Sequence, residues 1–430
     1  MRKKDAEFVI SSVFFLLVAF FCSSCGMFQS KTAVLWTDIP EFALYAGAFN
    51  TAQDEWTLEV RYMDSPAGEL AELINNEVGA FTRGKANYPD LVAGSWLKSS
   101  STSGIFAPLD EEIEKGLINP DSFYKNLLNL GRINNVQCLL PIAFNLPAIV
   151  FPKSIERSLQ NPFTITLAEL RETSEKYIEF DKSERLTKMG FSPLWNDDFL
   201  YTMVNLFGAN FREDTPLQWD NNALNEALAY GADWIRPDGD EFIFKYFTEP
   251  PSQLLLSGRI SFAYMESNGF FSLTQEERDA LSFRWLNWED SIPLAEDISY
   301  LGICREGRAE EAAYAFVSWF YNEETQQMFL EEANRLHLKE RAFGIAGGFS
   351  AIRAVTETVY PKYYPGLLGH VPPEDYLASP NILPRIWLGL KERVILPYLY
   401  TCIHDDIVNN TEDILRQRIL EWYRSSNQRR

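Results

Sequence analysis

The sequence predicts an α/β fold built on a parallel sheet with crossover helices. Three observations predict it. Ala33–Thr37, Trp56–Tyr62 and Asp90–Gly94 are short apolar or alternating strings of strand length. Helical stretches with apolar side chains three and four apart stand between them, as in Leu70, Leu73 and Ile74. Strand and helix alternate, which is the order of parallel strands joined by crossovers rather than of hairpins.

Each element carries its own signal. The first strand ends in a polar turn (Asp38, Pro40, Glu41), and an aromatic-rich helix follows. Pro66 opens the second helix, where its missing N–H costs nothing. Pro108-Leu109-Asp110 opens an acidic helix, and Gln137–Ile142 reads as a strand. Thr166 and Glu169 have the spacing of a capping box, in which hydroxyl and carboxylate each satisfy a free backbone N–H. Residues 190–211 run from a polar loop into an apolar helix ending near Gly208, and 221–236 form an amphipathic helix. Ser257-Gly258-Arg259 turns into a strand, Ile260–Met265, and a further strand runs from Asp297 to Cys304. Helices over Ala309–Tyr321 and Glu323–Asn334 precede a glycine-rich turn (Gly344, Gly347, Gly348) and a helical C-terminal third. Neither a repeat nor a Gly/Pro/Ser linker divides the chain, so two domains would exchange the chain more than once.

Composition excludes whole classes of function. Sixty acidic side chains against 39 basic ones give a net charge of −21. Such a surface repels phosphate backbones and anionic head groups, which excludes nucleic acid and a polybasic membrane patch. The three histidines, His337, His370 and His404, are scattered, and no C-x-x-C occurs, so no metal centre and no cofactor are expected. Cys138, Cys304 and Cys402 fit either buried free thiols or one bridge with a thiol left over. The sequence has no nucleophile elbow, zinc-protease helix, phosphate-binding loop or dinucleotide fingerprint. The adjacent pairs Asp197-Asp198 and Asp405-Asp406 are not two carboxyls facing each other across a cleft, so catalysis is not expected.

The N-terminus carries an export signal. Arg2, Lys3 and Lys4 precede a 14-residue apolar run, Phe8–Phe21, too short for a membrane span. Ser23-Ser24-Cys25-Gly26 follows, and the whole resembles a bacterial lipoprotein signal, with Cys22 where Leu is usual. The resemblance implies removal of residues 1–24, a lipid on Cys25, a tether over 25–32, and exposure on the outer side of a bacterial membrane, periplasmic or cell-surface. A plain signal peptide cut nearby and an uncleaved anchor are the rival readings.

Aromatic side chains are the positive signal for binding. They make up 14% of the chain, and Trp36, Trp96, Trp195 and Phe270-Phe271 stand beside polar residues in loops after strands. Rings that stack on C–H faces, beside amides and carboxylates that hold hydroxyls, are what a carbohydrate needs. Packing in a domain core is the commoner role of any one of them taken singly.

In order along the chain, AVLWTD (33–38), PDLVAG (89–94), PIAFNLPAIVFPKS (141–154), TLAELRETSEKY (166–177), LLSGRISFAYMESNG (255–269), GRAEEAAYAFVSWFYNEETQQMFL (307–330) and GGFSAIRAV (347–355) resemble the extracellular solute-binding proteins of ABC importers, the family of the maltose-binding proteins. Phe151-Pro152, Phe271 and Phe349 depart from the family pattern, which often has Tyr-Asn, Trp and Pro there.

The resemblance implies a two-lobed periplasmic-binding-protein-like fold of type II with the ligand cleft between the lobes. It implies a first lobe of 33–142 plus 303–343 and a second of 145–298 plus 345–430. Crossings would fall near Phe144-Asn145, Ile298-Ser299 and Gly344. The implied function is capture of a sugar or oligosaccharide by a monomer that delivers it to a permease. A polyamine, a peptide, or a surface adhesin without transport are the alternatives. The implied contacts are Asp38 and Glu41, which are equally placed to cap a helix, Trp96, Asn145 at the hinge, Trp195, Asn196, Asp198, Asn268 and Phe271.

Overall fold

The structure is a computed structural model that describes residues 30–79, 88–406 and 411–427. The signal region, with Cys22 and Cys25, lies outside the described residues. Among the described residues no helix is long and apolar enough to cross a membrane.

Along the chain, β1 (Thr32–Thr37), α1 (Phe42–Ala52), β2 (Thr57–Tyr62), α2 (Pro66–Gly79) and β3 (Leu91–Gly94) come first. The acidic helix α3 (Asp110–Glu114) and α4 (Lys125–Leu130) lead to β4 (Leu139–Phe144). After a two-residue link come β5 (Pro147–Pro152), β6 (Thr164–Thr166), α5 (Leu167–Glu175), α6 (Asp197–Leu206) and α7 (Asn221–Trp234). Then follow β7 (Ala263–Glu266), β8 (Leu281–Asn287), β9 (Ser299–Ile303), α8 (Glu310–Phe320), α9 (Glu323–Arg335) and β10 (Phe349–Ser350). The last helices are α10 (Leu396–His404) and α11 (Thr411–Asn427).

Two sheets organise these elements. The first runs β10-β4-β9-β3-β1-β2, with β1 parallel to both β2 and β3 and with β9 antiparallel to β3 and β4. The expected parallel crossover unit is therefore its N-terminal half. Asp90 fastens it: its carboxylate accepts from the N–H groups of Val34, Arg308 and Ala309 at 2.6–2.8 Å, holding the start of β3 to β1 and to the entry of α8. The second sheet runs β7-β5-β8-β6.

Alternation along the second sheet decides which core each side chain joins. Ala148, Val150, Phe283 and Trp285 face one apolar cluster, which continues into the first lobe. Ile149, Phe151 and Leu286 face the other, with α6, α7 and α10.

Three features differ from the sequence reading. The strand β8, central in the second sheet, is not among the expected elements. Its middle residue is Arg284, buried and bonded to the carbonyls of Asn161 and Phe283 and to Glu156. The capping box is half formed: Thr166 accepts from the Glu169 N–H, but the Glu169 carboxylate accepts from Gln160. The third passage between sheets falls later than Gly344. β10 pairs with β4, and Tyr124 donates its N–H to the Ala351 carbonyl, so residues 345–352 lie with the first sheet.

The C-terminal third contains two π-helical turns, Val355–Val359 and Lys391–Ile395. Each precedes a proline, Pro361 or Pro397, whose ring would clash with the carbonyl four residues back. The wider turn lets the helix continue past it.

Candidate ligand-binding site

A cavity of about 300 Å³ opens on the hinge side of the second sheet. Three elements build it. The Asn196 side chain caps α6 by accepting from the Phe199 N–H at 3.1 Å, and the helix then presents Tyr201, Thr202 and Asn205. Period-two alternation on β7 brings Tyr264 and Glu266 to the same wall. The segment that crosses back toward β9 supplies Trp288, Glu289 and Glu296. Tyr264 and Thr202 share a hydroxyl–hydroxyl hydrogen bond of 2.9 Å, which fixes both on the wall. The Asn205 Oδ1 is buried and finds no hydrogen-bond partner among the described residues.

Carboxyl groups set the electrostatics. Behind the wall the Lys391 ammonium lies 2.8 Å from Asp198 and 2.5 Å from Glu296, and 4.6 Å from the centre of the Tyr201 ring. Burial pushes the ammonium down, but Glu296 and Asp198 together outweigh it, so it stays charged above the usual lysine value. Burial, then Asp297, Glu296 and Asp198, hold the Glu266 carboxyl well above the glutamate range, against Lys391. Asp297 is pushed up to about 6 by enclosure and by Glu296. The residue itself is exposed to solvent, at the edge of this acidic cluster.

The first lobe reaches this region through the segment after β3. The Ser95 hydroxyl donates to the Asp297 carbonyl at 2.7 Å. The Ser100 N–H and hydroxyl both donate to the Glu213 carboxylate at 3.0 Å. Glu213 donates its own N–H to Ile382, beside the cavity residues Asn381 and Leu383. Between the two serines, Trp96 holds a left-handed backbone (φ 65°) that a bulky residue rarely adopts. Its ring packs against both apolar clusters, so it sits at the junction of the lobes.

The expected site residues separate into two groups. Asp38 stands at the end of β1 against Gly94, and burial holds its carboxyl up to about 6. Asp198 joins the cluster through Lys391. Glu41 precedes α1 and makes no side-chain capping bond, and the Ile39 N–H is taken by Thr37 rather than Asp38. Asn268 folds back on the next N–H, that of Gly269, at 2.7 Å.

Four expectations are corrected. Phe271 is 1% exposed and stacks on Phe343 at 4.8 Å within the aromatic core, so no ligand reaches it. Asn145 is a structural knot: it donates to Gly347, accepts from Ser267, and its carbonyl accepts from Ala295. Those bonds tie three passages of the chain together at the hinge. Trp195 packs near Phe242 beside a crevice of about 10 Å³, room for a single water. Asn196 spends its side-chain oxygen on the α6 cap. Cys138, Cys304 and Cys402 are buried free thiols, which decides against the bridge.

Tyr201, Asn205, Tyr264, Glu266, Glu296, Asp297 and Lys391 are not among the site residues that the sequence predicts. Tyr201 and Asn205 had a signal, since they lie three and seven positions past Asp198 on the same helical stripe.

No family model matches the sequence, and no curated protein matches it. Solved structures do match over nearly the whole chain. An ABC substrate-binding protein from Listeria monocytogenes in complex with cycloalternan is 15% identical, covering 92% of this chain and 99% of that one, with a TM-score of 0.61. The sugar-binding protein MalE from Xanthomonas citri is 10% identical, with coverages of 92% and 99% and a TM-score of 0.62. Maltose-bound MalE3 of T. maritima is 15% identical, with coverages of 91% and 98% and a TM-score of 0.59. The protein has the two-lobed α/β fold of these sugar-binding proteins.

Proposed function

We propose that the protein is the solute-binding component of an ABC importer, capturing a small carbohydrate between its lobes and passing it to a membrane permease. The observation that carries this reading is the hinge-side cavity, with tyrosine and tryptophan rings beside carboxyl and amide groups. Rings take the C–H faces of a sugar, while carboxylates and amides take its hydroxyls. A volume of about 300 Å³ lies at the small end of ligand pockets and suits one or two sugar rings better than a long chain. The solved structures of similar fold include proteins described with cycloalternan and maltose bound, which supports the same ligand class here.

Closure follows from the serine contacts. A ligand held by the second lobe and met by the segment from Ser95 to Ser100 favours the closed arrangement by its extra contacts there. No bond in the solute need break, so the reading requires no turnover. The export signal and Cys25 complete it as an anchored monomer on the outer side of the membrane. Mass spectrometry of the N-terminal peptide tests that anchor, with a diacylglyceryl cysteine at position 25 as the expected product.

The test of the function is thermal unfolding of the purified protein against a library of mono- and disaccharides. A ligand at a hundred times its dissociation constant adds about 2.7 kcal/mol, a readable shift. Stabilisation by one class of sugar is the expected result. A folded, ligand-free preparation that responds to no sugar would overturn the proposal.

A further inference from the structure

The cavity wall is rich in acceptors and carries a surplus of negative charge. Glu266, Glu289 and Glu296 line it, and none of its described lining residues is Lys, Arg or His. The nearby base, Lys391, is buried and already shared between Asp198 and Glu296. One positive charge thus faces two partners, and Glu289 on the wall and Asp297 nearby add two further acids, whereas burial favours the neutral form of Glu266. The buried Asn205 Oδ1 is one more acceptor, without a donor among the described residues.

We infer that the solute carries a protonated amine, so that this cavity takes an amino sugar in preference to its neutral counterpart. This rests on the cavity being the solute site proposed above. A neutral hydroxyl can donate to one of these carboxylates, but it leaves the surplus charge in place. An ammonium offers donors only, three of them, and neutralises a carboxylate in a site where water screens poorly. The aromatic walls favour the same ligand, because the half-exposed Trp288 ring at the cavity attracts a cation over its face.

A bare metal ion fits less well. Among the described residues no group of three His, Cys, Asp or Glu side chains converges closely enough to hold one. The carboxyls are spread around a space the size of a small organic molecule rather than focused on a point.

The experiment is calorimetric titration of the full-length protein with matched pairs of saccharides differing only in amine against hydroxyl. Glucosamine with glucose, galactosamine with galactose, and the glucosamine disaccharide with cellobiose are suitable pairs, and spermidine is added as a sugar-free amine. At least one amino member should bind about tenfold or more tighter than its neutral twin. Asp297→Asn should then erase most of that preference. Equal or tighter binding of the neutral twins would overturn the inference and leave the sugar reading standing. Binding of spermidine with no saccharide would uphold the amine and overturn the sugar. A folded protein that binds none of these probes would overturn both.

Discussion

Asp38 lies against Gly94 so closely that a Cβ at position 94 would stand 2.8 Å from the Asp38 Oδ1. The two residues end neighbouring parallel strands, β1 and β3, and Ser95 next to the glycine touches Asp297 in the other lobe. Glycine here keeps the Asp38 carboxylate in place. Gly94→Ala should push that carboxylate aside, because the obstructing atom is the end of a side chain and not backbone. The strands should survive, so ligand affinity should fall about tenfold, the worth of one charge-assisted hydrogen bond, with little change in Tm. Titration of the variant with the ligand found by thermal shift checks this. An unchanged affinity would remove Asp38 from the site.

The pH dependence of stability follows from the same aspartate. Burial holds the folded-state carboxyl up to about 6, above the ordinary value of 3.8. The folded protein therefore binds more protons than the unfolded chain between about pH 4 and 6, and stability falls as pH rises through that window. Asp38→Asn should stabilise the protein at neutral pH by about 1 kcal/mol, discounted for the partial exposure of the side chain. Most of the advantage should be gone near pH 4, where the folded-state carboxyl is protonated and the unfolded one about half so. Urea unfolding of both proteins at the two pH values measures it, and a variant less stable at neutral pH would contradict the desolvation argument.

Lys391 is buried between two carboxylates, so its removal exposes a large penalty. Lys391→Met would leave Asp198 and Glu296 without their shared cation, and Glu296 has little solvent to compensate. Breaking a buried pair from one side destabilises by about 3–5 kcal/mol. Adding Glu296→Gln to the same chain should recover part of that loss by removing the stranded charge. Denaturant midpoints of the single and double variants decide the matter. Equal midpoints would mean that the lysine serves packing alone.

These groups also show where the sequence was informative. β1, β2 and β3 were legible because each is a short string bounded by polar turns, and a helix of clear period stands between them. β8 was not, since Arg284 interrupts its apolar pattern and only the tertiary partners Asn161 and Glu156 make a buried arginine tolerable there. Phe271 stands two residues after Gly269 past a strand end, the same local setting as a stacking ring, and the residues that bury it, Phe343 and Tyr364, are more than 70 positions away. Lys391 and Glu296 stand 95 positions apart, so nothing local announces their pairing.

The contact between Ser100 and Glu213 gives a test of closure itself. Two donors from one serine reach one carboxylate across the lobes, with Ser100 exposed and Glu213 half-buried. Exposed hydrogen bonds of this kind contribute about 0.5–1.5 kcal/mol each. That is enough to bias a hinge without locking it. Glu213→Ala should therefore leave the fold intact, weaken ligand binding two- to fivefold, and place the loss in faster dissociation, because the closed arrangement loses a contact between the lobes. Small-angle scattering of the ligand-free variant should show a larger radius of gyration than the wild type, and stopped-flow release should show the faster rate. If both quantities match the wild type, the serine contact is incidental and closure depends on Ser95, Trp96 and the ligand alone.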